Sequence, residues 1–106
     1  MKEIINKLIA FRDEREWGKF HNPKDLALAI SIEAAELLEL FLWKDADAAD
    51  KQSVKEELAD ILAFALLLAE RYDLNVEQII QEKIEKNAAK YPVEKARGTA
   101  KKYNEL

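Results

Sequence analysis

Hydrophobic positions recur along this chain every three to four residues, which is the spacing of one face of an α-helix. The first such segment runs from about Lys2 to Arg15, and Gly18 after it is expected to break the helix. Asn22 is a good N-cap and Pro23 fits the first helical position. A second helix is therefore predicted from there to about Trp43.

A third helix follows a polar connector that extends from Lys44 to Asp50. Two starting points are open: Asp47, because the residues after it favour helix, and Ser53, which opens a capping-box pattern. This helix is expected to end near Tyr72.

The fourth helix is predicted to begin after Asn75, another good N-cap, and to be stopped by Pro92. The stretch after Pro92 has no clear period. The pattern as a whole predicts an all-α fold, an antiparallel bundle of four main helices. We assign residues 1–106 to one domain, with a basic C-terminal tail over residues 93–106.

The second helix is apolar on nearly every side. Its apolar residues are Ile30, Ile32, Ala34, Ala35, Leu37, Leu38, Leu40, Phe41 and Leu42. A helix of this kind is normally enclosed on all sides, and a four-helix monomer of this size would leave part of it in water. We therefore expect a homodimer or homotetramer built around the second and third helices.

Composition narrows the class of protein. With 2 Gly and 2 Pro among 106 residues, the chain lacks the turn residues of a β-rich fold. No cysteine is present, which excludes a disulfide framework. No signal-peptide core and no apolar run long enough to cross a membrane are found, so we expect a soluble cytoplasmic protein without a membrane partner.

Paired carboxylates lie on the apolar stripes of the second and third helices. Glu33 and Glu36 share a face of one helix, and Glu57 and Asp60 share a face of the next. Burying unpaired carboxylates is very costly, so a compensating cation is expected. With one His and no Cys, zinc and di-iron sites are disfavoured. All-oxygen ligation predicts Mg²⁺ or Mn²⁺.

Two neighbouring acids leave the ligand set open at this stage. Glu56 lies four residues before Asp60 and could replace Glu57, since periodicity does not choose between them. Glu39 continues the acidic ladder one turn beyond Glu36. It is a candidate ligand, a water-orienting catalytic base or a surface residue.

The charges are unevenly distributed along the chain. Between residues 33 and 60 there are nine acidic and three basic residues, whereas between residues 83 and 103 there are seven basic and two acidic ones. An acidic metal site beside a basic tail suits a metal-bound polyphosphate, although solvated helix faces produce the same pattern. No basic stripe for a nucleic-acid duplex is found.

Several segments together resemble a known group. They are Phe20 to Ala27 (FHNPKDLA), Glu33 to Trp43 (EAAELLELFLW), Glu56 to Leu62 (EELADIL), Lys83 to Asn87 (KIEKN), Lys90 to Val93 (KYPV) and Lys95 to Gly98 (KARG). In this order the chain resembles the MazG-like all-α NTP pyrophosphohydrolases, and most closely their small dCTP pyrophosphatase branch. The acidic motifs carry the superfamily resemblance, and the aromatic and KYP segments carry that to the branch.

The resemblance implies an enzyme, a Mg²⁺-dependent hydrolase. It would cleave a (deoxy)nucleoside triphosphate between the α- and β-phosphates and release the monophosphate and pyrophosphate. The expected substrate is dCTP or a base-modified dCTP. The metal ligands of the family match Glu33, Glu36, Glu57 and Asp60, which favours Glu57 over Glu56.

Residues outside the acidic motifs are candidates for substrate binding. Trp17, His21 and Trp43 are expected to enclose the base, because aromatic rings stack on any nucleobase. Lys83 and Asn87 share a helical face with Ile80 and are expected to contact substrate. Tyr91 and Arg97 are candidate phosphate contacts.

One position departs from the branch. Four residues after the motif Asp60, the branch typically has Tyr, and this chain has Phe64. The missing hydroxyl puts the preference for cytosine in question.

Two other functions compete with this interpretation. The first is a helical interaction or regulatory module without chemistry, which the four intact acids oppose because a protein without catalysis has no use for buried charges. The second is phosphoribosyl-ATP pyrophosphohydrolase, which shares the acidic motif. The aromatic and KYP segments fit the dCTP branch better.

Overall fold

The structure is a computed structural model that describes all residues from Met1 to Leu106, and its regular elements are all helical. The α-helices are α1 (Lys2–Glu14), α2 (Pro23–Glu39), α3 (Lys51–Arg71), α4 (Val76–Lys90) and α5 (Val93–Ala96), with short 3₁₀ helices at Trp17–Phe20 and Tyr103–Glu105. The predicted all-α class with four long helices is confirmed. None of the helices combines the length and apolar character needed to cross a bilayer.

The chain divides into two compact units, Met1–Leu74 and Asn75–Leu106. The first contains α1, α2 and α3, and the second contains α4 and α5. The assignment of one domain to residues 1–106, and of one bundle to all four long helices, stays a prediction.

Two helix starts confirm the predicted caps. The side-chain oxygen of Asn22 accepts a hydrogen bond from the backbone N–H of Asp25 at 2.9 Å, and Pro23 occupies the first turn of α2. The side-chain oxygen of Asn75 accepts from the backbone N–H of Gln78 at 3.0 Å. Each cap satisfies a backbone donor that has no partner within its helix.

The predicted end of the second helix was wrong. α2 ends at Glu39 rather than near Trp43, although the apolar residues continue. Beyond it the backbone makes four-residue turns: the N–H of Phe41 donates to the carbonyl of Leu38 at 3.0 Å, and that of Lys44 to the carbonyl of Phe41 at 3.2 Å. Trp43 adopts a left-handed conformation with φ of 61°, which no α-helix continues through.

The start of the third helix was also wrong in both alternatives. Asp50 is the N-cap of α3, and its carboxylate accepts from both the backbone N–H and the hydroxyl of Ser53, each at 3.0 Å. The predicted end near Tyr72 is confirmed. Asp73 is left-handed with φ of 55°, and the N–H of Leu74 donates back to the carbonyl of Ala69 at 2.9 Å.

The first helix ends close to the predicted position, but the break lies elsewhere. α1 ends at Glu14, and Glu16 takes the left-handed conformation with φ of 53°. Gly18, the expected breaker, lies inside the 3₁₀ helix that follows. A charged residue with its side chain in solvent therefore reverses the chain here.

The core of the first unit is small. Its buried hydrophobic residues are Leu26 from α2 and Leu66, Leu67 and Ala69 from α3. Other apolar side chains of α2 are open to solvent, with Leu28, Ile32 and Leu38 exposed by 50%, 57% and 63%. Leu58 and Leu62 on α3 are also exposed. We call these five side chains the open apolar face.

Candidate metal centre and adjoining cavity

Helices α2 and α3 run antiparallel, and this arrangement builds the site. His21, at the start of α2, meets Phe64 of α3 edge to face with ring centroids 6.1 Å apart. Three turns further along α2, Glu33 lies beside Glu57, which precedes Phe64 in the sequence. The acidic motifs of the two helices therefore face each other.

Three carboxylates converge between the helices. Glu33, Glu36 and Glu57 each offer one oxygen, and these oxygens lie within 4.8 Å of one another. All three side chains are half-buried. Oε2 of Glu33 and Oε2 of Glu57 are buried without a hydrogen-bond partner. Buried carboxylate oxygens without a donor require either a proton or a cation, so the donor set fits a hard metal ion.

The mutual repulsion of these acids raises their affinity for protons. The pKa of Glu33 rises from 4.5 to about 7, because its protonated form can donate a hydrogen bond to Glu36, with further contributions from desolvation and from Glu57. For Glu57, the hydrogen bond from Glu33 lowers the pKa, but desolvation and the nearby charges outweigh it and the net shift is upward. A bound cation would relieve the same repulsion.

Asp60 lies beside this group rather than within it. It is exposed and is not one of the three converging carboxylates, yet its charge raises the pKa of both Glu33 and Glu57. Glu56 is exposed and outside the group, where it accepts a hydrogen bond from the amide of Gln52 at 3.2 Å. The α3 register thus directs Glu57, not Glu56, toward α2.

Glu39 is the last residue of α2, and its side chain is exposed outside the three-carboxylate group. Its catalytic role stays a prediction.

A cavity of about 330 Å³ adjoins the carboxylates. It is lined by Leu8, Phe11, Arg12, Trp17, His21, Asp60, Ala63, Phe64 and Leu67. Phe11 and Trp17 meet edge to face with ring centroids 5.8 Å apart. Asp60 belongs to the cavity wall and lies one turn after Glu57 on α3, so the cavity and the three carboxylates are adjacent along this helix.

His21 is a half-buried polar group on the cavity wall. Its Nδ1 atom is buried without a hydrogen-bond partner. Burial lowers the pKa of His21 below 6.5, and the positive charge of Arg12 lowers it further. The imidazole is therefore neutral at pH 7 and offers one donor and one acceptor.

The structure brings only part of the predicted substrate set together. Trp17 and His21 line the cavity, but the Trp43 side chain is fully exposed and is not part of the wall. Its role in base binding stays a prediction.

The remaining substrate candidates belong to the second unit. Lys83 and Asn87 lie exposed on α4, one turn apart. Tyr91 is the C-cap of α4, and its ring meets that of Tyr103 edge to face with centroids 6.3 Å apart. Arg97 follows α5 and is exposed.

Arg12 and Phe11 are cavity residues that the sequence did not single out. Both lie within the first predicted helix, where helical spacing allows either of them to complete the apolar face. The sequence signal that could have identified Arg12 is a charged residue on an apolar stripe of a helix. The same signal identified the acidic motifs.

The fold and site define an all-α protein with converging carboxylates beside an aromatic cavity. A family model described as the MazG-like family matches residues 28–106. The dCTP pyrophosphatase 1 proteins of Rattus norvegicus and Homo sapiens are 38% and 36% identical over 98% of this chain. The chain spans 66% of the length of each of these curated relatives.

A solved structure of a pyrophosphatase from Archaeoglobus fulgidus is also similar. It is 42% identical, covers 87% of this chain and 92% of its own, and superposes with a TM-score of 0.82. The chain belongs to the MazG-like family, as the resemblance of its motifs indicated.

Proposed function

We propose that this chain is a Mg²⁺-dependent nucleoside triphosphate pyrophosphohydrolase. It would cleave between the α- and β-phosphates, releasing the monophosphate and pyrophosphate, and dCTP or a base-modified dCTP is the proposed substrate. The names of its relatives support a nucleotide pyrophosphatase. The observation that carries the proposal is the position of Asp60, which joins the aromatic cavity to the carboxylate group.

The chemistry divides between the two features. The aromatic wall of the cavity, with Trp17 and Phe64, offers rings against which a base can stack. Glu33, Glu36 and Glu57, with Asp60 beside them, would hold Mg²⁺ or Mn²⁺. The metal would supply neutralisation of the triphosphate and a more acidic bound water. The cavity walls would orient the base so that the α-phosphate reaches the carboxylates.

Unpartnered carboxylate oxygens argue against a module without chemistry. Glu33 and Glu57 each bury an oxygen that no side chain satisfies, which destabilises an apo scaffold. Such a cost is expected where a ligand is bound. No observation favours phosphoribosyl-ATP over a simpler nucleotide as substrate.

The test is a substrate screen. All ribo- and deoxynucleoside triphosphates, together with 5-modified dCTP, are incubated with the protein and Mg²⁺, and pyrophosphate is measured. We expect pyrophosphate release that EDTA abolishes. The fastest release is expected from dCTP or its modified forms. Release of orthophosphate, or none with any substrate, would contradict the proposal.

The open apolar face supports the proposed homodimer or homotetramer. Its five members, Leu28, Ile32 and Leu38 on α2 with Leu58 and Leu62 on α3, are each at least 46% exposed. Apolar surface on this scale, beside a core with few buried side chains, is typical of a protein that buries it against another copy.

A further inference from the structure

Arg12 extends from α1 onto the wall of the aromatic cavity and is a cation in an otherwise mostly apolar lining. Its side chain is only 14% exposed. Two carboxylates compensate its charge: Nε donates to Asp13 at 3.0 Å, and Nη1 donates to Glu70 at 3.4 Å. The guanidinium is thereby fixed against the cavity.

These two hydrogen bonds leave part of the guanidinium uncommitted. An arginine carries five N–H donors in a planar fork, and neither bond uses Nη2. Hydrogen bonds from a charged donor to a carbonyl oxygen are stronger than neutral ones. A site that holds such a donor in a largely apolar wall discriminates against ligands without a matching acceptor.

The other polar groups of the wall differ in the hydrogen-bonding groups that they can bind. His21 is neutral and carries one donor and one acceptor, and Asp60 accepts only. Arg12 is the group on this wall with several donors and no acceptor. An exocyclic amine would face it donor to donor, whereas a carbonyl would satisfy it.

We infer that Arg12 is a specificity-determining residue, whose Nη2 donates to a carbonyl oxygen of the base held in the cavity. The inference rests on the proposed function, because it concerns the same substrate. Cytosine, thymine, uracil and guanine carry such a carbonyl. Adenine has ring-nitrogen acceptors but no exocyclic oxygen, so an Nη2 placed to reach such an oxygen selects against dATP.

The experiment compares dCTP with dATP. Arg12→Met keeps the aliphatic stem that packs on the wall and removes the donors. We expect kcat/KM for dCTP to fall by about tenfold or more, chiefly through KM, and that for dATP to change by less than about threefold. The dCTP to dATP ratio is therefore expected to fall.

Glu70→Gln is the matched control. Glu70 pairs with Arg12 but does not line the cavity, so this variant weakens the pair and leaves the donors in place. Its dCTP to dATP ratio is expected to stay at the wild-type value. If Glu70→Gln lowers that ratio as much as Arg12→Met does, Arg12 acts by positioning α1 and the inference is wrong.

Two further outcomes distinguish a failure of this inference from a failure of the proposed function. If Arg12→Met lowers kcat/KM equally for both substrates, the inference alone fails and the proposed hydrolase activity stands. If the wild-type protein releases pyrophosphate from no nucleotide, the proposed function itself fails. Should Arg12→Met not fold, Arg12→Lys keeps the charge but loses the fork, and it is expected to lower the ratio in the same direction.

Discussion

Glu33 and Glu57, on antiparallel helices, each bury one carboxylate oxygen for which the protein provides no hydrogen-bond donor. One carboxylate oxygen of each lies within 4.8 Å of the other's and of an oxygen of Glu36. Since an unsatisfied buried acceptor destabilises the folded state, this arrangement lowers the stability of the metal-free chain.

Replacing a ligand carboxylate is expected to abolish turnover. Glu33→Gln and Glu57→Gln should each lower kcat by about hundredfold or more, because weaker metal binding removes charge neutralisation at the phosphates. The melting temperature of the metal-free variants should not fall below that of the wild type, because the substitution relieves repulsion. Steady-state pyrophosphate release and thermal unfolding measure both effects.

Glu56→Gln serves as the control for the helix register, since Glu56 is exposed and contacts Gln52. Its activity should match that of the wild type. An inactive Glu56→Gln beside an active Glu57→Gln would contradict the arrangement seen in α3.

The stability of the metal-free protein should depend on pH through Glu33. Its pKa rises on folding from 4.5 to about 7, so between these values the folded state binds more protons than the unfolded state. The Glu33 contribution to stability is therefore fully present below pH 4.5 and is lost as the pH rises through about 7. Folding lowers the pKa of His21, so the effect of His21 on stability is opposite and stability is lost as the pH falls.

The comparison of wild type with Glu33→Gln isolates the effect of Glu33. The melting temperature of the variant relative to wild type should increase as the pH rises from 4.5 to about 7 in EDTA. Saturating Mg²⁺ should stabilise the folded wild type and thereby remove most of the difference in melting temperature between the two proteins. A difference that is constant across this range would argue against the convergence of the three carboxylates.

The long helices, the caps at Asn22 and Asn75 and the acidic motifs could be predicted from sequence because each depends on local spacing. The end of α2 could not, because Leu40, Phe41 and Leu42 continue the apolar pattern while the backbone has already left the α-helix. Arg12 was missed for a related reason. Its place on the cavity wall depends on how α1 packs against α3, which a single helical period does not specify.

The cavity residues should control substrate affinity more than the chemical step. Trp17→Ala and His21→Ala should each raise KM by about tenfold to hundredfold with a smaller effect on kcat, because stacking stabilises ground and transition states alike. Trp43→Ala tests the remaining aromatic candidate and is predicted to raise KM as well. Since Trp43 does not line the cavity within one chain, an unchanged KM for Trp43→Ala alone would restrict the base site to the cavity formed by α1, α3 and the segment from Trp17 to His21.

Phe64 offers a gain-of-function test of base choice. Phe64 lines the cavity beside His21, so Phe64→Tyr would add a hydroxyl to the wall. We expect kcat/KM for dCTP to rise relative to the other three dNTPs. An unchanged ranking would show that the base is recognised by other groups.

The open apolar face should be the site of self-association. Light scattering at micromolar concentration is expected to give a homodimer or homotetramer rather than a 12.2 kDa monomer. Ile32→Lys and Leu38→Lys should dissociate it and lower the melting temperature, because each places a charge in a buried interface. Asn6→Lys is the control for an added charge, since Asn6 is exposed on α1 and is not part of the open apolar face. A stable, folded monomer of the wild type would defeat the prediction.

Trp43, fully exposed on a left-handed turn, gives the chain a built-in optical probe. An indole in water emits at long wavelength, and any surface that covers it shifts the emission to the blue. The protein has 2 tryptophans, so Trp17→Phe leaves Trp43 as the single emitter. Titrating that variant by dilution, and then with nucleotide, would report separately on whether another chain or a substrate reaches this corner of the molecule.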